Sequence, residues 1–258
     1  MSYWQDRYSK SQNKLTRKNI KKVEAQMRKY YISSMKRTIA DFEDVYTKLV
    51  NTMAEGIAPT PADLYKLDSY WKMQGQLKKE LQILGSRQVK ALASAFEANF
   101  FDVYYSIALP STKEFTTVDK EIVKQLINHI WVADGKMWSQ RIWDNTSKLA
   151  STLNEALINC VVNGKEVGHL RDALLERFNV SYSQADSLAR TELAHIQTQA
   201  AKKRYEDYGI QEVEVWADED ERRCKVCGKL HQKRYPIGAE PPIPAHPRCR
   251  CCIVPVVE

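Results

Sequence analysis

The sequence predicts a mainly α protein, with an elongated helical N-terminal and central region and a small C-terminal α+β domain. Apolar residues recur at steps of three and four over about the first 210 of the 258 residues, which is the spacing of one helical face. After Gly209 the chain alternates polar and apolar residues over 211–216, which indicates a strand. Nine glycines and nine prolines are too few for a β-barrel.

The first 55 residues are predicted to form one long helix that ends at Gly56 and Pro59. Thr60 and Pro61 then restart a helix, because threonine is a favoured N-cap and proline fits the first helical position. This second helix is expected to continue to about residue 109, where Pro110 breaks it. The apolar stripe of the first helix consists of Leu15, Ile20, Val23, Met27, Tyr31, Ile39, Phe42, Val45, Leu49 and Met53.

Shorter helices are predicted after this break. Thr117 is expected to cap one through Ile130, and Ser183 to cap another through about Tyr208, which Gly209 ends. Between these two helices, the pattern predicts helices over 139–162 and 166–178, and Trp131, Trp138 and Trp143 as core residues. We therefore divide the chain into a long-helix region, 1–110, and a second domain, 111–258, whose tail is 210–258.

Charge is distributed unevenly along the chain. The net charge of +7 comes from a basic arm at residues 1–37, a mildly acidic body and a basic tail. A basic arm can attract nucleic acid, an acidic protein surface or anionic lipid, and it can equally be a solvated helix face. The candidate contact residues of this arm are Arg17, Lys18, Lys21, Lys22, Arg28, Lys29, Lys36 and Arg37.

Cysteine and histidine cluster in the tail. Cys224 and Cys227 form a Cys-x-x-Cys-Gly motif, and His246 and Cys249 form a His-x-x-Cys pair. A two-residue gap lets both side chains face one ion, so these four residues predict a zinc-knuckle-like site. A structural Zn²⁺ can supply about 10 kcal/mol or more of folding free energy to a segment with few apolar residues. Cys251 is an alternative ligand for His246 or Cys249.

A disulfide or free thiols are the other interpretation of this cluster. The N-terminus has no apolar stretch after its charges, which argues against a secretory signal and so against disulfides. Cys160 lies in an apolar run and is interpreted as an inert core residue. His231 is interpreted as a loop residue, and Asp218 and Asp220 as a solvated turn rather than an ion site.

No recognisable catalytic motif accompanies the cysteines. The sequence has no His-Glu-x-x-His, no His-x-Glu before Pro-Cys-x-x-Cys, no phosphate-binding loop and no Gly-x-Ser-x-Gly elbow. It also has no run of 18 apolar residues, so no membrane span is predicted. These absences favour a protein that is not an enzyme and takes no small-molecule substrate.

One order of landmarks points to a known family. Arg190, Thr191 and Glu192 lie on the last helix, followed by Trp216, the Cys-x-x-Cys motif and His-Pro-x-Cys-Arg-Cys. In this order the chain resembles, over about 115–255, the C-terminal domain of the tailed-phage minor head proteins, the phage Mu F-like head-morphogenesis family. Its opening, Ser2-Tyr3-Trp4 and then Arg7, is similar to the start of full-length minor capsid members.

The resemblance implies a virion protein that associates with the portal protein. It implies residence in the capsid interior near the portal, after a period in the host cytoplasm during assembly. Scaffold, major capsid protein and viral DNA are further candidate partners, in packaging or in DNA ejection through non-specific DNA contact. Arg190, Glu192 and Trp216 are expected to be structural, with one or both of Arg190 and Glu192 tying the helix to the tail by buried ion pairs. A catalytic role of Glu192 is the alternative.

Two other functions remain open from the residues. The first is a nuclease-like, zinc-containing DNA-processing enzyme, in which His231 or His246 would lie near carboxylates with an open ion position. The second is a zinc-containing nucleic-acid-binding module, which would bind a specific sequence through the tail alone.

Overall fold

The structure of the protein is a computed structural model that describes residues 3–54, 57–108, 117–217 and 223–257, with side chains from residue 7 onward. It is mainly helical, at 72%, with a small C-terminal three-stranded antiparallel sheet and a cysteine/histidine cluster. The predicted fold class is therefore confirmed.

Three predictions fall outside the described residues. They are the helix end at Gly56, the break at Pro110 and the turn containing Asp218 and Asp220.

Seven helices and three strands occupy the described part of the chain. The strand order in the sheet is β2-β1-β3, and both pairings are antiparallel. The elements are α1 Tyr3–Asn51, α2 Pro61–Lys66, α3 Asp68–Ser106, α4 Lys120–Ile127, α5 Trp138–Val162, α6 Val167–Asp207, β1 Glu212–Trp216, α7 Lys225–Leu230, β2 Arg234–Pro236 and β3 Cys252–Pro255.

The long first helix and the restart at Thr60 are confirmed. The Thr60 side chain accepts a hydrogen bond from the backbone N–H of Asp63, and the Asp63 carboxylate accepts one from the backbone N–H of Thr60. This reciprocal capping box fixes the start of α2. The predicted single helix from 60 to about 109 is wrong, because Leu67 adopts an extended conformation and ends α2 after six residues. Trp71, an apolar residue of this predicted helix, is 59% exposed.

Two other helix boundaries also differ from the prediction. Ser183 does not cap a helix but lies inside α6, which runs without a break from residue 167 to 207. The reason is that Leu174, Phe178, Ser181 and Ala185 are all buried at steps of three and four, so one face continues through the predicted gap. α4 begins after an N-cap at Asp119 rather than Thr117.

The chain divides into two compact units, each built from separate segments. We call residues 1–24, 91–138 and 187–258 the tail unit, and residues 25–90 and 139–186 the helical unit. α1, α3 and α6 each contribute residues to both units. The predicted boundary between 110 and 111 coincides with none of these divisions and stays a prediction.

A buried polar cluster stabilises the helical unit. The Asn145 side chain donates to the Tyr31 hydroxyl at 3.3 Å and to the Ser181 carbonyl at 2.9 Å. Burial raises the pKa of Tyr31 to about 12, so its hydroxyl stays protonated. The cluster joins α1, α5 and α6 around an apolar core that includes Phe42 and Leu49.

Hydrogen bonds connect distant segments of the tail unit. The Gln12 amide donates to the Tyr205 hydroxyl at 2.8 Å, and this hydroxyl donates to the Ile253 carbonyl at 3.2 Å. The Asn19 amide donates to Asn99 at 3.0 Å. These bonds place α1, α6 and β3 side by side, next to the cysteine cluster.

Candidate metal centre and basic groove

The cysteine cluster is built by α7 and the loop that precedes β3. Cys224 is the N-cap of α7, and its Sγ accepts a hydrogen bond from the backbone N–H of Cys227 at 3.3 Å. A helix N-terminus favours negative charge, so this position suits a thiolate. The second half of the cluster comes from His246, Cys249 and Cys251, in the turn that leads into β3.

The ligand atoms predicted from the sequence lie close together. His246 Nε2 is 3.3 Å from Cys224 Sγ and 3.1 Å from Cys227 Sγ. Cys227 Sγ is 3.7 Å from Cys249 Sγ. Cys227 and Cys249 are buried, at 4% exposure each. The structure therefore joins two motifs that are separated by 18 residues in the sequence.

Three pairwise spacings in the cluster approach those of a tetrahedral zinc site, although Cys249 does not form one group with Cys224 and His246. Zn–S bonds of about 2.3 Å and Zn–N bonds of about 2.0 Å at tetrahedral angles separate two sulfurs by about 3.8 Å, and sulfur from nitrogen by about 3.5 Å. The Cys227–Cys249 distance of 3.7 Å matches the first value. The His246 distances are a few tenths of an ångström short of the second. The cluster could hold a metal ion.

Cys251 is a fifth candidate ligand. The candidate ligand atoms form two groups that share Cys227: one with Cys224 and His246, the other with Cys249 and Cys251. Within each group the atoms lie within 4.8 Å of one another. Cys251 is buried like its neighbours, so the alternative in which it replaces His246 or Cys249 is compatible with this geometry.

One thiolate is favoured before any metal binds. A hydrogen bond from the Cys251 thiol lowers the pKa of Cys249 to about 5, and the same contact raises the pKa of Cys251. The backbone N–H of Cys227 lowers the pKa of Cys224, whereas burial raises the pKa of Cys227 to about 12. The cluster thus offers a negative charge to a cation at neutral pH.

The other sulfur and histidine candidates lie apart from these two groups. Cys160 is buried in the helical unit, and its burial raises its pKa, as expected of an inert core thiol. His231 Nδ1 accepts a hydrogen bond from the backbone N–H of Ala217 at 3.2 Å, and its ring packs edge-on against Trp216 at 5.3 Å. Among the described residues, His231 belongs to neither ligand group.

The Arg-Thr-Glu segment of α6 faces three different neighbours. Thr191 Oγ1 accepts a hydrogen bond from the backbone N–H of Arg248 at 3.0 Å. This bond connects α6 to the loop that carries His246, Cys249 and Cys251, which we call the ligand loop. Arg190 forms an ion pair with Glu24 of α1. Glu192 is buried and accepts a hydrogen bond from the indole N–H of Trp131 at 3.0 Å. No pattern in the sequence predicts this contact of Thr191.

A buried histidine lies one turn further along α6. His195 stacks on Trp131, with ring centroids 4.2 Å apart and planes at 7°. Burial lowers the pKa of His195 to about 4, so the ring is neutral at neutral pH. The sequence offered no signal for this pair, because the two residues are 64 positions apart.

The three tryptophans predicted as core residues differ in exposure. Trp138 is buried and packs edge-on against Phe96 at 5.1 Å. Trp131 is half-buried on His195, and Trp143 is 39% exposed, so the interpretation of Trp143 as a core residue is wrong. Trp216, the family landmark on β1, is buried and donates to the Glu214 carboxylate at 2.9 Å.

All eight predicted arm residues are exposed on α1. Arg17, Lys18, Lys21 and Lys22 belong to the tail unit, and the other four belong to the helical unit. In the helical unit, Arg37 forms an ion pair with Glu80 at 2.8 Å. The arm residues therefore all lie on α1, but they belong to two different compact units.

Two grooves in the tail unit are lined by basic residues of this arm. The first, of about 1260 Å³, runs along α1 from Ser9 to Lys22 and reaches Trp216. The second, of about 910 Å³, lies between α1, the start of the Arg-Thr-Glu segment and the ligand loop. Arg248 and Arg250, which the sequence analysis did not single out, line the second groove. Their alternation with Cys249 and Cys251 is the signal that could have found them.

The fold and the cluster define a helical protein with a cysteine/histidine tail suited to a metal ion. Residues 151–254 match the family described as phage Mu protein F like protein. The match covers less than half of the chain, and over this segment the chain is similar to that family. The matched segment contains the Arg-Thr-Glu segment and all five candidate ligands.

A curated protein also matches part of the chain. The chain is 27% identical over 158 residues to NAD(+)–arginine ADP-ribosyltransferase EFV of Enterococcus faecalis, a match that covers 52% of this chain. The match spans only 32% of the length of that protein. No solved structure matches the chain significantly. None of the described helices is both long and apolar enough to cross a membrane.

Proposed function

We propose that this chain is a phage minor head protein that associates with the portal and acts in head assembly. The observation that carries this proposal is the phage Mu protein F-like domain at residues 151–254, which includes the candidate metal centre. Residence in the capsid interior near the portal, and contact with scaffold or major capsid protein, belong to the same proposal. Non-specific contact with viral DNA, in packaging or ejection, would use the exposed basic face of α1.

The proposal includes one structural Zn²⁺ held by Cys224, Cys227, His246 and Cys249. When bound, the ion would crosslink α7 to the loop before β3. Four protein ligands leave no open position for water, which supports a structural rather than a catalytic site. Zinc X-ray absorption of the full chain is expected to give three sulfur ligands and one nitrogen. Four sulfurs would mean that Cys251 replaces His246.

We propose that the chain is not an enzyme. The relative that carries an enzyme name is matched over 32% of its length, which leaves room for its activity to lie elsewhere in that protein. The test is incubation of the full chain with NAD⁺ and an arginine-containing substrate, with release of nicotinamide as the readout. No release above a buffer control is expected, whereas release that depends on intact chain would contradict this part of the proposal.

Portal association is tested by co-expression of the full chain with the portal protein of the same phage. The two proteins are expected to co-purify. Replacement of Lys36 and Arg37 by glutamate tests whether the helical-unit part of the basic face makes the contact, because both side chains are exposed. Replacement of Lys78 and Lys79 on α3 by glutamate is the control for an equal charge change. Failure of the wild-type chain to co-purify with the portal would contradict the proposed association.

A further inference from the structure

The groove beside the metal centre has an unusual charge composition. Three separate segments of the tail unit bring arginine or lysine to it: Arg17 and Lys21 from α1, Arg190 from α6, and Arg248 and Arg250 from the ligand loop. Glu24 is the acidic side chain among its lining residues, and Arg190 pairs with it. Four cationic side chains therefore line the groove beyond this pair.

Arg190 and Arg248 line the same groove. Burial lowers the pKa of Arg190, and the positive charge of Arg248 lowers it further. Arg248 also adopts a left-handed backbone conformation, with φ of 60°, which a residue other than glycine rarely takes. The hydrogen bond from its N–H to Thr191 holds that conformation at the groove.

The basic surface is too long for a small anion. The second groove and the larger groove along α1 share Asn13, Arg17 and Lys21. Lysines line the larger groove from Lys10 to Lys22, and 12 residues of helix rise about 18 Å. Phosphates of one duplex strand follow one another at about 3.4 Å along the axis, so the surface is about five phosphates long.

We propose that this groove, formed by α1, Arg190 and the arginines of the ligand loop, binds the phosphate backbone of nucleic acid. The proposal rests on the DNA contact in the proposed function. It assigns this contact to the basic arm together with the arginines of the ligand loop, rather than to the arm alone. Arginine forks bind phosphate oxygens in pairs, and two of them flank a candidate metal ligand that fixes their position. Binding through phosphates is insensitive to base sequence.

The test compares two double variants of the full chain. Arg248→Gln with Arg250→Gln removes the loop charges from the groove. Lys229→Gln with Lys233→Gln removes the same charge from exposed positions of the same tail that do not line it. The probe is a fluorescent 30-base-pair duplex, with anisotropy measured from 50 to 300 mM NaCl. Circular dichroism and zinc content establish that both variants fold as the wild type does.

The arginine variant is expected to bind at least tenfold more weakly at 100 mM salt. Its plot of log affinity against log salt is expected to be shallower by about 2, because each lost phosphate contact removes about 0.9 from the slope. The lysine variant is expected to stay within twofold of the wild type, and a duplex of scrambled sequence to bind equally. Equal losses in both variants, or no loss in the arginine variant, would overturn the proposal.

Two further outcomes separate this proposal from the proposed function. If the wild-type chain binds no duplex, the groove and the DNA contact are both overturned, while portal association keeps its own test. If the arginine variant binds DNA normally but no longer co-purifies with the portal protein, the groove is a protein-docking surface and the phosphate proposal is overturned.

Discussion

The hydroxyl of Thr191 accepts a hydrogen bond from the backbone N–H of Arg248 at 3.0 Å, and so connects α6 to the loop that carries the candidate metal ligands. Thr191→Val removes the acceptor while keeping the side-chain shape. A net hydrogen bond contributes about 1 kcal/mol, so metal affinity is expected to fall about fivefold. Competition with a chromophoric chelator measures it.

A second threonine is the matched control for this variant. The Thr191 hydroxyl donates to the Ser187 carbonyl, and the hydroxyl of Thr152, another half-buried helical threonine, donates to the Leu149 carbonyl. Thr152 lies in the helical unit. Thr152→Val is expected to leave metal affinity unchanged. Equal metal affinity of the Thr191→Val and wild-type chains would show that the hydrogen bond does not support the ligand loop.

Cys227 is common to both candidate ligand groups, so its replacement tests the centre most severely. Cys227→Ser is expected to abolish binding of one zinc per chain and to expose the tail amides 210–257 to hydrogen exchange. The helical unit is expected to keep its protection, because its buried core is separate from the tail. Zinc analysis and hydrogen-exchange mass spectrometry measure the two effects.

Cys160→Ser provides the comparison, since Cys160 is a buried thiol outside the ligand groups. It is expected to retain one zinc and a protected tail. A Cys227→Ser chain with a tail as protected as that of the wild type would contradict a structural role for the metal.

Acidification is expected to destabilise the tail unit through His195. Its pKa is about 4 in the folded chain because of burial, against about 6.5 when unfolded. The unfolded chain therefore takes up the proton first, so stability is complete above pH 6.5 and falls as the pH drops from 6.5 towards 4. The loss amounts to at most about 3 kcal/mol. NMR titration of the histidine ring measures the pKa.

His195→Gln removes this titration and serves as the assignment control. Urea unfolding of the two chains at pH 7 and pH 5 isolates the His195 contribution from that of the metal ligands, which both chains share. A His195 ring that titrates near pH 6.5 in the folded chain would contradict its burial against Trp131.

Metal removal is expected to weaken binding of the duplex, because Arg248 and Arg250 flank Cys249 in the ligand loop. Chelation of the wild-type chain should lower its affinity at 100 mM salt at least tenfold, and added zinc should restore it. The arginine double variant should lose little more on chelation, since its loop no longer contributes charge. Equal sensitivity of both chains to chelation would argue against this link.

The sequence predicts the helical class and the ligand set because both depend on local spacing. Two-residue gaps separate Cys224 from Cys227 and His246 from Cys249, and the apolar stripe of α1 recurs along the helix from Leu15 to Leu49. The Trp131–His195 stack, the Thr191–Arg248 bond and the basic groove could not be predicted in this way. Each brings together residues that are more than 50 positions apart, so only tertiary packing creates them.

The ends of helices are also predicted only in part from the sequence, because tertiary packing influences them. Ser183 has the chemistry of a cap, but burial of Phe178 and Ser181 favours a continuous helix through it. Leu67 has no breaking residue beside it, yet α2 ends there. Local propensity is a weak prior that packing overrides, so these errors arise where tertiary contacts decide the conformation.

The central claim, that this chain is a portal-associated component of the phage head, is tested by the protein content of assembled particles. Proheads are produced from the portal, scaffold, major capsid protein and this chain, and from the same set without the portal. Quantitative mass spectrometry is expected to find a few copies of the chain per particle with the portal, and its loss without the portal. Particles that contain no copy in either case would contradict the claim.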